Sequence, residues 1–480
     1  MNGNTIFQTP PESSGQSKPA QNQGAAPSSS PQGSSPFAFR SSRSPISPRG
    51  ILKVLIVVML IVSIGYIIYS FGLPLLRRVG ITEVTLTYWG LWEEPSTMQS
   101  VIAEFNRDHP NIKINYSKQD HKQYRERLVT RIQNGTGPDI FRYHNTWIPM
   151  LSDVLAPLPS DVISRDEFGR TFYPVASRDL IKNGAIYGIP LEIDTLALFI
   201  NKDIFDSAGL SAPKDWIDFI NYSRSLTVKD SGGQILTSGA ALGAFNNINH
   251  APDIVSMLLV QNGVDLNNIE GNAEEAAEAL GFYASFVTAA DISTWNTSLD
   301  PSMIAFSKGN VAMYFGYSWD YFTIKALNPG LVFEIHPVPQ LQGQNATIAS
   351  YWVEGVSAKS QYQQEALLFL KFLAEKETAQ KFFSESSKTR AFGEPYARID
   401  LADSLKDNPI VYPFVSQGSI AVSSFFSSDT HDNGLNSHMN TYLGDAVNAV
   451  INGGSPQSAV VTLTEGVNQV KNQYSPPAQP

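Results

Sequence analysis

Residues 88–96 read YWGLWEEPS, two tryptophans and two adjacent glutamates in nine positions. An indole offers a broad apolar face, and a carboxylate offers several acceptor sites for hydroxyl or amide donors. Trp89, Trp92, Glu93 and Glu94 follow the alternating stretch EVTLTY, residues 83–88, and precede a helical pattern. They therefore fall on a strand-to-helix loop. A structural reading is available: Trp89 plugs the core, and the glutamates sit at the positive end of a helix. The whole cluster on so short a loop favours a binding site.

The surrounding pattern shows what positions this loop. Met98, Val101, Ile102 and Phe105 recur at helical spacing after Ser96 or Thr97, either of which can cap the helix, and His109-Pro110 stops it. NIKINY reads as a second strand. Tyr124, Leu128 and Ile132 mark a second helix that Gly135 ends, and DIFRY reads as a third strand. This β-α-β-α-β order predicts a parallel sheet with right-handed crossovers. In such sheets ligands bind at the carboxyl ends of strands, where Trp89–Glu94 lie.

The chain has 480 residues, too many for one ordinary domain. Residues 81–480 carry 27 of the 34 bases and 43 of the 44 acids, a balance of −16 that argues against nucleic-acid partners. Cysteine is absent, the seven histidines show no ligand spacing, and no phosphate-binding loop occurs. No metal, no cofactor and no disulfide framework is therefore expected. Residues 1–50 are rich in Ser, Pro and Gln and are expected to be a disordered tail, as are residues 471–480. Val54 to Leu73 carries no charge over about 20 residues, the length of a bilayer span, so a transmembrane anchor is expected over 51–76. A cleaved signal peptide fits less well, because the preceding segment is long and no small-residue cleavage site follows. Basic residues before the span outnumber those after it. They place the N-terminus in the cytoplasm and the large domain outside the cell or in the periplasm.

Five further stretches occur in a fixed order: GTGPDIFRYHNTW at 135–147, AIYGIPLEIDTLALFINKDIF at 185–205, MIAFSKGNVAMYFGYSWD at 303–320, SYWVEGVSAKS at 350–360 and ALLFLKFLAEKETAQKFF at 366–383. With the opening loop they resemble the family 1 extracellular solute-binding proteins, the maltose-binding-like receptors of sugar ABC transporters. The resemblance covers roughly residues 83–470. It implies a two-lobed α/β fold of the periplasmic-binding-protein type 2 class, closing about a hinge. Lobe 1 would comprise residues 81–192 with 336–393, and lobe 2 residues 193–335 with 394–470. The crossings would lie near 190–194 (Pro190, Glu192), near 332–337 (Glu334, Pro337) and near 391–396.

The same resemblance implies the ligand contacts. They are Trp89, Trp92 and Glu93 on the first loop, Arg142, Tyr143 and Asn145 after PDI, Asp194 before the next strand, and Trp319, Tyr351 and Trp352. Trp147 is expected to pack inward, and Arg142 and Asp194 have structural readings as an ion-pair partner and a hinge hydrogen-bonder. Tyr351 and Trp352 are neighbours in a strand pattern, so only one should face the cleft. A pyranose fits such a set, with an apolar face for indoles and hydroxyls for carboxylates. FRYHNTW lacks the Trp-x-x-Asp arrangement of maltose binders, so a malto-oligosaccharide is not implied. The implied function is a membrane-anchored receptor, not an enzyme, that hands a polar solute, a sugar first, to an ABC permease. The rivals are a tethered sensory or adhesion domain on this fold and a glycoside hydrolase using Glu93 or Glu192 with Asp194.

Overall fold

The computed structural model describes residues 48–72 and 83–474. Most of the expected tail at 1–50 and of the expected disordered end at 471–480 lies outside the described residues. The last helix, Pro456–Tyr474, runs four residues into that end.

The chain divides at Pro74 and Leu75. In the first unit the helix Pro48–Ile67 continues as a wider turn, Ile68–Gly72. Its side chains are described from Ile56 to Ser70, with Met59, Val62 and Tyr66 exposed. Among the described residues no helix is long and apolar enough to cross a membrane.

The second unit opens with the predicted order. Strands β1 (Val84–Gly90), β2 (Ile112–Lys118) and β3 (Ile140–His144) pair in parallel with β1 in the middle, Val84 beside Ile112 and Tyr88 beside Ile140. The residues that alternate in the sequence bury Val84, Leu86 and Tyr88. The helix after β1 spans Pro95–Asp108 and buries Met98, Val101, Ile102 and Phe105. It starts one residue before the earlier of the two expected caps. Pro95 occupies the first turn, where its missing N–H costs nothing, and Glu94 holds the cap position with its side chain turned to Lys118 at 2.6 Å rather than to the helix N–H groups.

The sheet is completed by antiparallel pairing of Trp352–Ser357 against β3, with Leu155–Ala156 and Ile189–Pro190 beside it. Residue 352 thus returns to the core that the chain left after residue 193. The stretch 366–383 falls in two helices, Gln363–Leu373 and Lys376–Ser386, with Ala374 and Glu375 at the break.

Two large apolar cores result. One holds residues of 84–193 and 349–382, and the other holds residues of 196–348 and 426–470. The second core surrounds a three-stranded antiparallel sheet with Ala197–Asn201 in the middle. One of its edges is Phe333–His336. The crossing expected near 332–337 is therefore a sheet edge of the second lobe, and the chain changes core between Ile348 and Ala349. A small sheet marks the true crossings: Thr347–Ser350 pairs with Asp194–Thr195 on one side and Ala421–Val422 on the other. The expected third crossing lies alongside, where Glu192 bridges to Tyr396 and the Ile193 N–H donates to Pro395 O at 3.2 Å.

Candidate functional site

A cleft of about 420 Å³ opens between the two cores. Trp92, Glu93, Tyr351 and Trp352 line it from the first lobe, Trp319 and Asp320 from the second, and Glu192 and Asp194 from the crossing. The YWGLWEEPS loop divides its work according to strand direction. Trp89 still belongs to β1 and packs into the first core, 6.4 Å from the Tyr124 ring. Trp92 lies past the strand and is 37% exposed, packed edge-to-face with Trp352, ring centroids 5.4 Å apart.

Beneath the floor Arg142 is fully buried among three carboxylates. It pairs with Glu93, holds Glu354 at 2.6 Å and lies 3.8 Å from Glu192. Burial opposes its charge, but Glu354 and Glu93 outweigh that and hold the guanidinium well above its ordinary range. Arg142 therefore stands beneath the cleft and orients Glu93, which lines it. Burial raises the Glu354 and Glu192 carboxyls despite the guanidinium.

Asp194 is 2% exposed and accepts from the backbone N–H of Ser318, at 2.9 Å, and from its hydroxyl. Burial pushes its carboxyl up to about 8 in spite of these donors. The consequence is a specific pH dependence. A carboxyl raised on folding contributes stability that is complete below its unfolded value, roughly 4, and is lost as pH rises through its folded value. Unliganded protein should therefore weaken between pH 4 and 8, by up to about 1.4 kcal/mol per pH unit for each such proton. Asp194→Asn should flatten this slope in urea melts at several pH values. An unchanged slope would show that Asp194 ionises in the fold as freely as in the open chain.

The far wall rests on a second buried network. His250 Nε2 lies 2.8 Å from Asp320 Oδ2, which also accepts from Tyr314 Oη at 2.8 Å. Burial disfavours the imidazolium, but Asp320 outweighs it and lifts His250 to about 9. Tyr317 donates to Asp253 at 2.9 Å and stacks on Trp319, ring centroids 4.4 Å apart. This fixes the indole that faces Trp92 across the cleft.

The segment 428–434 adds Asp429 and His431 to the lining. Asp429, His431 and Asn433 all have positive φ, 55°, 52° and 45°. Asp, His and Asn are the side chains that tolerate this region best. The run SDTHDNG was the available signal for a loop of this kind, and it was missed. Glu354 was also missed, although a lone charge within the apolar run YWVEGV signals a buried ion pair. Arg390 and Glu394, which pair with one another and line the cleft, carried no distinguishing pattern.

The remaining expected contacts stand elsewhere. Tyr143 is buried and donates to Tyr187 O at 3.1 Å. Asn145 donates to Asp179 at 2.9 Å and lines a separate cavity of about 390 Å³. Trp147 packs inward against Trp352 and Tyr124. Tyr351 and Trp352 both reach the cleft because Tyr351 lies between two strands, where strict alternation lapses, and its hydroxyl donates to Asp179 at 2.6 Å. Of the expected hinge residues, Pro190 and Glu192 lie at the first crossing. Glu334 instead pairs with Lys202 at 3.1 Å on the second lobe, and Pro337 is exposed. Among the described residues no group of acidic or histidine side chains could hold a metal ion.

Two α/β lobes, the strands that cross between them and the cleft form the frame of the site. Residues 89–380, more than half of the chain, match the bacterial extracellular solute-binding protein family, and the chain belongs to that family. A putative binding protein of Brucella abortus is 26% identical over 119 residues, a match covering 25% of this chain and 29% of that protein's length. The galactooligosaccharide-binding protein of Bacillus subtilis is 22% identical over 362 residues, 72% of this chain and 79% of that protein. Among solved structures, a cyclo/maltodextrin-binding protein complexed with maltotetraose superposes with a TM-score of 0.66 at 19% identity, covering 80% of this chain and 96% of that one. These relatives are binding proteins.

Proposed function

We propose that this protein captures a sugar or oligosaccharide in the interlobe cleft, closes on it by bending at the crossing strands, and delivers it to an ABC permease. The observation that carries this reading is the convergence of Trp92 and Trp352 on one lobe with Trp319 on the other, among carboxylates. Indoles take the C–H face of a pyranose, and carboxylates take its hydroxyls. The binding partners of the relatives support the same class. Nothing in the cleft requires turnover: Arg142 and His250 hold Glu93 and Asp320 as fixed acceptors.

Closure predicts two readouts. Sugar at 100 times its Kd should stabilise the protein by about 2.7 kcal/mol and raise its melting temperature. Small-angle scattering should show compaction. A panel of mono- and oligosaccharides that produces neither change would overturn the reading.

The proposed tether is the apolar run 54–73, supported by its length and lack of charge. Mass spectrometry of membranes carrying the protein should find peptides from before Ile51 attached to it. A mature chain beginning near residue 80 would show that the segment is removed.

A further inference from the structure

Six residues lining the cleft carry carboxylates, and Arg390 is the one that carries a guanidinium. Following each charge to its partner exposes an imbalance. Arg142 takes Glu93 and Glu354, Arg390 takes Glu394, and His250 takes Asp320. Asp429 is half exposed and lies 3.4 Å from His250. Glu192 and Asp194 remain without a hydrogen-bonded cation. Glu192 lies 3.8 Å from Arg142 Nη2, beyond hydrogen-bond length, and its Oε2 has no hydrogen-bond partner. Asp194 uses Oδ2 for Ser318, while Oδ1 accepts no hydrogen bond of normal geometry. Both residues are more than nine-tenths buried, and both line the cleft. Two positions apart on an extended segment, they point to the same side.

A buried carboxylate is costly until a cation or a proton reaches it. A sugar hydroxyl supplies a hydrogen bond but no charge. An ammonium supplies a full charge and three donors, and indole faces attract it further. We propose that the solute is an amino sugar, a pyranose bearing a protonated primary amine, with the ammonium seated between Glu192 and Asp194 and the ring against Trp92 and Trp319. This rests on the cleft being the sugar site. In the unliganded protein burial raises both carboxyls above the ordinary range and so favours their protonated forms. The charged groups around them are Arg142, Glu93, Glu354 and Glu394 about Glu192, with Glu394 again beside Asp194. Arrival of the ammonium makes the carboxylate form favourable and expels a proton to solvent.

The test is calorimetric titration of the full chain with glucosamine, galactosamine and chitobiose, each beside its 2-hydroxy counterpart glucose, galactose or cellobiose. Titrations at about pH 6 in two buffers of different ionisation enthalpy count the protons exchanged. At least one amino sugar should bind tenfold or more tightly than its counterpart, with net proton release. Glu192→Gln should abolish both the preference and the release. If that variant does not fold, Asp194→Asn takes its place. A neutral counterpart bound as tightly, with no proton released, overturns the amine assignment and leaves the sugar reading standing. Binding by no member of the panel overturns both.

Discussion

Replacing Trp92 with alanine should weaken solute binding by at least ~2 kcal/mol, roughly thirtyfold in Kd, and leave folding nearly unchanged. The indole is 37% exposed, lies beyond the end of β1, and meets Trp352 edge-on, with the His121 ring stacked on it and the His431 ring tilted against it. Few core contacts vanish with it, whereas a ligand would lose the surface on which it stacks. Trp352→Ala provides the contrast. That ring is 8% exposed and wedged against His144 and Trp147. Its loss should cost both affinity and about 3–5 kcal/mol of stability. Calorimetric titration and urea melts on the two variants separate binding from folding. Unaltered affinity in Trp92→Ala, with a large drop in stability, would make this residue a core side chain.

Arg142→Met should destabilise the fold by about 3–5 kcal/mol at neutral pH, because it strands Glu93 and Glu354 in a buried site without a counter-ion. The side chains at both ends are almost inaccessible, so solvent cannot substitute for the guanidinium. The deficit should depend on pH in a definite direction. Glu354 and Glu192 have folded values above their ordinary ones even with Arg142 present. Removing the cation raises them further. Their contribution to stability is complete below the unfolded carboxyl value, about 4, and is lost as pH rises. The variant should therefore approach wild type near pH 5 and fall furthest behind near pH 8. Adding Glu93→Gln and Glu354→Gln should restore most of the loss. Urea melts across this range decide the matter, and a small loss independent of pH would mean that water reaches the cluster.

The sequence by itself determined the first half of the fold. Alternation in EVTLTY and the i, i+3, i+4, i+7 spacing of Met98, Val101, Ile102 and Phe105 are local patterns. They encode which face is buried whatever lies on the other side of the core. The position of Trp92 and Glu93 at a strand's carboxyl end was legible for the same reason. The tertiary structure decided what depends on pairing between distant segments. VFEIHP reads equally well as a crossing or a sheet edge, and only its ladder with Ala197–Asn201 makes it an edge. Trp89 and Trp92 are chemically alike, but the last residues of β1 turn one into the core while the loop leaves the other in the cleft. Arg142 looked like a ligand contact until Glu354, 212 positions away, and Glu93, 49 positions away, closed around its guanidinium. Charge is a property of each residue, whereas the neutralisation of that charge belongs to the packed interior, where few counter-ions are within reach and water is excluded. For that reason the sequence could supply the acids of the site but not show which of them, Glu192 and Asp194, remain without a hydrogen-bonded cation.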